Sequence, residues 1–201
     1  MFRVYGDHRS GNCYKVKLML HLLDRPYEWV PVDLTGGETR SEAFRAINPN
    51  GKIPVLELED GTYLWESNAI LNYLADGSEF LPSDPRLRTQ VLQWQFFEQY
   101  SHEPYLSRAR YIKVFEGNPE ASRKEYEAKC YDGYHALNVM EQQLQRTPYL
   151  VGDSCSIADV ALYPFTSLAE ESGFDLANYP AIRAWLQRVA SHPRYIPITV
   201  E

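Results

Sequence analysis

The stretch "NPNGKIPVLELEDGTYLWESNAILNYLA", residues 48–75, contains two β-prone runs separated by an Asp-Gly pair and followed by a helical run. Asp-Gly between two such runs is a strong signal for a β-hairpin. Two features are unusual for a segment whose only role is to pack in the protein core. Pro54 stands at the start of a buried strand although proline has no backbone donor. Glu66 and Ser67 interrupt the apolar pattern where the helix begins.

The residues before this stretch alternate between strand and helix signals. The runs "FRVY" and "YEWVPVDL" favour strands, and Pro31 moves the second towards a sheet edge. The runs "NCYKVKLMLHLLD" and "RSEAFRAI" favour helices. The order up to residue 75 is therefore β-α-β-α-β-β-α, which predicts a mixed sheet with helices packed on it.

The residues after this stretch have a different character. "SEFLPSDPRL" carries two prolines and is typical of a linker, which places a boundary near residues 77–85. Beyond it there is little strand signal, and the sequence predicts a domain of residues 1–77 followed by an all-helical domain of residues 86–201. The predicted amphipathic helical segments are about 86–115, 120–145, 156–171 and 180–191.

Composition excludes several functional classes. The chain has 201 residues, 44% of them hydrophobic, which is enough for one large domain or two small ones with real cores. Its formal net charge is −7 and it has no block of lysine and arginine, so nucleic acid is not an expected partner. The sequence also has no basic amphipathic stretch of the kind that binds a membrane surface. "MFRVYGDHRS" lacks the apolar run of a signal peptide, and "LMLHLL" is too short to cross a bilayer.

The three cysteines, Cys13, Cys130 and Cys155, are an odd number without a C-x-x-C motif. This argues against a disulfide framework and favours a reducing compartment, so a cytoplasmic protein is expected. No Cys/His cluster has the spacing of zinc ligands, and no metal is expected.

A small β-α-β-α-β-β-α domain joined to a helical one resembles the cytosolic glutathione transferases, in particular bacterial members of theta-, nu- or beta-like type. Three stretches carry the resemblance: "YGDHRSGNCYKVKLML", "NPNGKIPVLELEDGTYLWESNAI" and "LVGDSCSIADVALYP". It implies a thioredoxin-like N-terminal domain and an all-helical C-terminal domain. It also implies a homodimer that takes glutathione as co-substrate and needs no metal.

The resemblance assigns glutathione-binding roles to five residues. Pro54 would follow a cis peptide, which turns the backbone of Ile53 towards the cysteinyl backbone of glutathione. Ser67 and the free N–H groups of the helix start would take the γ-glutamyl carboxylate, and Glu66 the ammonium. Lys52 would reach the glycine carboxylate. The alternatives are an ordinary trans proline, a serine that only caps its helix and a solvated lysine.

Ser10 and Asn12 are the residues that the resemblance assigns to the glutathione sulfur. Ser10 aligns with the active serine of theta- and delta-like transferases and with a threonine of the nu-like class. The backbone N–H of Asn12 would face the sulfur, and Tyr5 is a third candidate. Cys13 matches a loop cysteine of beta-like relatives, but free cysteine is often a small buried apolar residue, and no partner cysteine supports dithiol chemistry.

Two segments of the second domain carry further predictions. Ser156 and Asp159 form an S-x-x-D capping box before an apolar helix, which predicts a role in folding. The aromatic segment at residues 92–111 would line a hydrophobic co-substrate pocket through Tyr105, Arg108 and Tyr111, and its arginines hint at an anionic co-substrate. Solvated charges and a helix core are the simpler interpretation.

These observations predict a glutathione transferase whose thiolate attacks an electrophilic small molecule in a pocket between the domains. One alternative is a glutathione-dependent disulfide reductase or peroxidase of the nu-like type. A zeta-type isomerase fits less well because "SGNCYKV" lacks the Ser-Ser-Cys run. A non-enzymatic ligand-binding relative is a further alternative, although the chain retains both the loop serine and the Glu-Ser pair.

Overall fold

A computed structural model describes residues 1–34, 36–117 and 119–198. The chain forms two compact units: Met1–Ser78 with Pro193–Glu201, and Glu79–His192. The predicted helical domain of residues 86–201 is therefore too long at its end, and its last three residues lie outside the described part.

The segment after residue 192 belongs to the first unit because polar groups of the first long helix hold it. The hydroxyl of Tyr14 donates to the carbonyl of Ile196 at 2.6 Å. Arg194 donates to the carbonyl of Leu22 at 3.3 Å. A local sequence pattern cannot reveal either contact, because the two partners are 182 residues apart in the first contact and 172 residues apart in the second.

The first unit is built on a four-stranded sheet in the order β2-β1-β3-β4. The strands are β1 (Phe2–Gly6), β2 (Tyr27–Pro31), β3 (Val55–Glu57) and β4 (Tyr63–Trp65). Strands β1 and β2 pair in parallel, and the other two pairs are antiparallel. The position of β2 at the edge agrees with its terminal Pro31, which has no ladder donor.

The predicted hairpin joins β3 to β4. The amide of Leu58 donates to the carbonyl of Thr62 at 2.8 Å. The carboxylate of Asp60 accepts the amide of Thr62 at 2.9 Å. Gly61 has a φ of +82°, in the left-handed region where glycine carries no Cβ penalty.

Three helices cover the sheet: α1 (Gly11–Leu22), α2 (Glu42–Ile47) and α3 (Ser67–Ala75). Helices α1 and α3 pack against each other, and ten of the twelve residues of α1 are buried. The side chain of Phe44 on α2 packs in a separate cluster with Val32 and Val55, joined by Tyr5 and Tyr63.

The second unit is helical, as predicted. It contains α4 (Pro85–Phe97), α5 (Glu103–Arg110), α6 (Arg123–Leu144), α7 (Ile157–Ser167) and α8 (Pro180–Ala190). π-Helical turns at Glu98–His102 and Tyr111–Phe115 flank α5. Pro104, in the first turn of α5, has no N–H for the helical ladder, which accounts for the irregular turn just before it. The fold class is confirmed: a thioredoxin-like unit precedes a helical one.

The capping box at the start of α7 is also confirmed. Asp159 is fully buried, and one of its oxygens accepts both the amide of Ser156 at 2.9 Å and its hydroxyl at 3.0 Å. The other oxygen accepts the amide of Leu150 at 3.0 Å and the indole N–H of Trp185 at 2.8 Å. The carboxylate therefore joins α7, α8 and the preceding loop.

No helix in the described part of the chain is both long and apolar enough to span a membrane. Within the same residues, no group of three or more His, Cys, Asp and Glu side chains is arranged to hold a metal ion.

Candidate functional site

The start of α1 is capped by Ser10. Its backbone is extended, with φ −82° and ψ 119°, and its Oγ accepts the amide of Cys13 at 3.3 Å. Serine is favoured at this position because its oxygen satisfies one of the free donors of the first turn. Asn12 lies in that first turn, where the remaining N–H groups and the positive end of the helix dipole favour an anion.

The loop before β3 is shaped by Asn48, which is only 1% exposed. Its amide nitrogen donates to the carbonyl of Lys52 at 2.7 Å, and its oxygen accepts the amide of Asn50 at 3.0 Å. Gly51 permits the turn with a φ of +63°. The side chain of Lys52 is exposed.

The peptide between Ile53 and Pro54 is cis, which confirms that sequence prediction. Ile53 is half-buried and joins the cluster around Phe44, while Pro54 is buried at the start of β3. The strand proper begins only at Val55, so the missing donor of the proline is not needed by the ladder.

The start of α3 has an unusual backbone at Glu66, with φ +69° and ψ 110°. A positive φ at a residue other than glycine costs about 1–3 kcal/mol and is frequent at functional sites. The exposed carboxylate of Glu66 accepts from the side-chain nitrogen Nδ2 of Asn50 at 3.4 Å. Its carbonyl accepts the amide of Ile70, so the first helical bond is already formed there.

Ser67 brings the starts of α1 and α3 together. Its side chain is 6% exposed, and its hydroxyl lies 3.4 Å from Asn12 Oδ1 and 3.4 Å from Lys15 Nζ. The predicted residues Asn12 and Ser67, 55 positions apart, therefore share one network.

Three residues of this site were missed by the sequence prediction. Asn48 and Asn50 shape the loop, and the N-x-N-G turn signal could have identified them. Lys15 is fully buried. Its place within the apolar run of α1 was the sequence signal that could have identified it, because lysine is rarely buried.

Tyr5 is directed away from the start of α1. Successive strand residues face opposite sides of a sheet, and Tyr5 packs in the cluster around Phe44. Its hydroxyl donates to Glu57 Oε2 at 2.6 Å. Burial and this bond raise the pKa of Tyr5. As a sulfur-activating group, Tyr5 is therefore the weakest of the three sequence candidates.

Cys13 is a buried packing residue, with no exposed surface. A Cβ added at Gly6 would lie 2.9 Å from the Cys13 sulfur, so glycine is needed for this close approach of β1 and α1. Burial raises the pKa of the Cys13 thiol to about 12, although a hydrogen bond with Ser10 lowers it in part. A thiolate, the reactive form of cysteine, is therefore disfavoured here.

Cys13 is expected to resist alkylation in the native protein at pH 8, because it is inaccessible and un-ionised. Peptide mapping by mass spectrometry after treatment with iodoacetamide would measure this. The same treatment in denaturant should modify Cys13 completely, which serves as the control. Native labelling of Cys13 faster than of the half-buried Cys130 would contradict the packing role.

The predicted pocket residues of the second unit have other partners. The guanidinium of Arg108 binds both oxygens of Glu125, at 2.7 and 2.8 Å, and donates to Glu116 at 2.8 Å. The guanidinium of Arg108 is thus paired with two carboxylates of its own unit, and its role towards an anionic co-substrate stays a prediction. Tyr105 lies under Lys129 Nζ, 5.1 Å from its ring centre. Tyr111 is 51% exposed and stacks on Phe115.

Comparison with known proteins decides the family. The family model for the N-terminal domain of glutathione S-transferase matches residues 9–76, and that for the C-terminal domain matches residues 94–193. The chain belongs to the glutathione S-transferase family. A crystal structure of a glutathione S-transferase from Pseudomonas fluorescens is 69% identical, with a TM-score of 0.98 and 99% of each chain covered.

Two other relatives of this chain are known by a chemical activity or by a bound ligand. The disulfide-bond oxidoreductase YfcG of Escherichia coli is 34% identical, over 92% of this chain and 88% of its own. A glutathione transferase from Burkholderia graminis is 27% identical, with a TM-score of 0.84, covering 96% of this chain and 85% of its own. Its crystal structure holds two glutathione molecules per protein subunit.

Proposed function

We propose that this protein is a glutathione transferase that binds glutathione in the first unit and activates its thiol as a nucleophile at the start of α1. The observation that carries the proposal is the junction of the two helix starts through Asn12 and Ser67. Two helix N-termini close to each other suit a ligand with two separated anionic groups. Ionised glutathione has such groups in its γ-glutamyl carboxylate and its thiolate.

The proposed binding mode uses the three segments of the site. Ser67 and the adjoining N–H groups take the γ-glutamyl carboxylate, and the Glu66 carboxylate takes the ammonium. The backbone of Ile53, before Pro54, pairs with the cysteinyl part. The exposed Lys52 reaches the glycine carboxylate, and Asn48 supports this by fixing the Lys52 backbone.

Ser10 is the proposed donor to the sulfur, with the backbone N–H of Asn12. The thiol of free glutathione has a pKa of about 8.5, and this pKa must fall by about two units for the thiol to be mostly ionised at pH 7. Such a fall requires that the protein stabilise the thiolate over the thiol by about 2.7 kcal/mol. A hydrogen bond to a charged acceptor contributes about 1.5–3 kcal/mol and a helix N-terminus about 0.3–1 kcal/mol. One hydroxyl at this helix start is therefore sufficient. The thiolate then attacks an electrophilic carbon, whose leaving group departs with the bonding electrons.

Disulfide reduction is a second candidate, favoured by the likeness to the disulfide-bond oxidoreductase. In this reaction the thiolate of bound glutathione attacks a mixed disulfide of glutathione. The products are oxidised glutathione and the thiolate of the other half. The two glutathione molecules held by the Burkholderia graminis relative fit such an exchange. A buried Cys13 is compatible with it, because both sulfurs of the product come from glutathione.

We further infer, from the family alone, a cytoplasmic homodimer whose helical unit supplies the second-substrate pocket. Tyr105, Arg108 and Tyr111 are the proposed lining residues, and the exposure of Tyr111 supports this.

The ultraviolet difference spectrum on adding glutathione at neutral pH tests the proposal. A thiolate band at saturation is expected, and binding without a band, or no binding, would overturn thiol activation. Initial rates with an aryl halide and with a mixed glutathione disulfide then distinguish conjugation from reduction. S-Methylglutathione is the matched ligand control, since it binds without an ionisable thiol.

A further inference from the structure

The loop between β1 and α1 places Ser10 through a turn that begins at Asp7. The carbonyl of Asp7 accepts the amide of Ser10 at 3.0 Å, which closes a four-residue turn and brings the two Cα atoms within about 7 Å of each other. The carboxylate oxygen Oδ1 of Asp7 accepts the amide of Arg9 at 2.8 Å. Such a bond from a side chain to the amide two residues on is an Asx turn, which stabilises the backbone turn around it. The position of Ser10 therefore depends on the acceptor at position 7.

This acceptor carries a negative charge close to the helix start at which we place the glutathione thiolate. Its field reaches a sulfur atom in the first turn of α1, because burial and, more weakly, the charge of Asp7 raise the pKa of the Cys13 thiol. The side chain of Asp7 is only 9% exposed, so water screens its charge poorly. An uncompensated Asp7 would therefore oppose a thiolate beside Ser10.

Arg9 pairs with this carboxylate in a two-point contact. Its Nε donates to Oδ1 at 3.0 Å, and its Nη2 donates to Oδ2 at 2.6 Å. The pairing lowers the pKa of Asp7, so the carboxyl group stays ionised. The same residue thus supplies the turn with an amide donor and the carboxylate with an opposite charge.

We propose that Asp7 and Arg9 are positioning residues for Ser10. The Asp7 carboxylate fixes the turn that places the Ser10 hydroxyl, and the Arg9 guanidinium cancels the charge that this carboxylate would set against the glutathione thiolate. This inference rests on the proposed function. Because the geometry and the charge of Asp7 have separate roles, their losses change the ionisation of bound glutathione in opposite directions.

A double-mutant cycle tests the role of the charges. The variants are Asp7→Asn, Arg9→Met and both together, and the readout is the thiolate-to-thiol ratio of bound glutathione, from a pH titration of the thiolate absorbance. Asparagine keeps the acceptor Oδ1 without the charge, so Asp7→Asn should raise the ratio about two- to fivefold. Arg9→Met keeps the backbone amide but leaves the carboxylate unpaired, so it should lower the ratio by a similar factor. The double variant keeps the turn without either charge and should lie within about twofold of the wild type.

Asp7→Ala tests the role of the turn. It removes the same charge as Asp7→Asn and also removes the acceptor, so the displaced Ser10 hydroxyl should lower the ratio about fivefold or more. Asp7→Ser should restore the ratio, since a serine hydroxyl accepts from the same amide. If Asp7→Ala does not fold, Asp7→Glu takes its place. Its longer side chain keeps the charge but misplaces the acceptor, so the ratio should fall, and an unchanged ratio would overturn the role of the turn.

Arg3→Met is the matched control for the loss of a cation. Arg3 is also partly exposed and pairs with carboxylates, those of Glu28 and Glu57. It lies four residues before Asp7 along an extended strand, about 13 Å away, which exceeds the Debye length of about 8 Å at physiological salt. The substitution should leave the ratio unchanged, and a loss equal to that of Arg9→Met would overturn the inference in favour of net charge.

The outcomes separate this inference from the proposed function. A lower ratio in Asp7→Asn, or an unchanged ratio in Arg9→Met, would overturn the role of the charges. Equal ratios in Asp7→Asn and Asp7→Ala would overturn the role of the turn. In each of these cases the wild-type band still upholds thiol activation, whereas absence of the band in the wild type would overturn the proposed function itself.

Discussion

Ser10→Ala is expected to remove most of the thiolate band of bound glutathione and to lower kcat/KM about 10- to 100-fold. The physical reason is the loss of one hydroxyl donor to a charged sulfur, about 1.5–3 kcal/mol, at a position where no other side-chain hydroxyl caps α1. The measurement is the ultraviolet difference spectrum at saturating glutathione, together with initial rates.

The control for Ser10→Ala must separate capping from catalysis. Ser10 also caps α1, and loss of a cap costs about 1 kcal/mol of stability. Ser41 caps α2 in the same unit by accepting the amide of Phe44 at 3.1 Å. Ser41→Ala should therefore cost similar stability and leave the thiolate band intact, while Ser10→Thr should retain it. A band that survives Ser10→Ala would transfer the role to Asn12.

Asp159→Ala is expected to lower the free energy of unfolding by about 3–5 kcal/mol. The substitution leaves four buried donors without their acceptor, and each unsatisfied buried donor costs about 1–3 kcal/mol before relaxation. The capping box by itself predicts a cost of about 1 kcal/mol or more, the effect of a lost cap. Urea unfolding followed by circular dichroism would measure the difference.

Asp153→Ala is the matched control, since Asp153 is exposed and lies in the loop just before α7. It should change the free energy of unfolding by less than about 0.5 kcal/mol. The loss of unfolding free energy in Asp159→Asn should lie between those of Asp159→Ala and Asp153→Ala. The amide oxygen of the asparagine still accepts from Leu150 and Trp185, but its nitrogen is a donor that faces the donor N–H of Ser156. An unfolding midpoint for Asp159→Ala equal to that of the wild type would refute the role.

Local signals were sufficient for most of the fold. Strand and helix periods, the Asp-Gly turn and the capping residues lie within a few positions of one another, so the sequence exposes them directly. The helical run after Glu66 was predicted as 67–75 and observed at Ser67–Ala75. The end of the helical domain was wrong because the contact of Tyr14 with Ile196 spans nearly the whole chain.

The candidate site was predictable only where a motif identified its members. Ser10, Asn12, Pro54 and the Glu-Ser pair stand in recognisable runs. No motif indicated the partners of Arg108, because the two carboxylates that compensate its charge come from positions 116 and 125.

The sequence by itself determined the order of the elements in the first unit, the family, and the starts of α3, α7 and α8. The tertiary structure alone decided which of those residues meet. It turned Tyr5 to the face away from α1, buried Cys13 against Gly6, and directed Lys15 at Ser67. The reason is that periodicity and capping are properties of neighbouring residues. Which side chains share a hydrogen bond depends on how separate elements pack, and a single sequence does not record that packing.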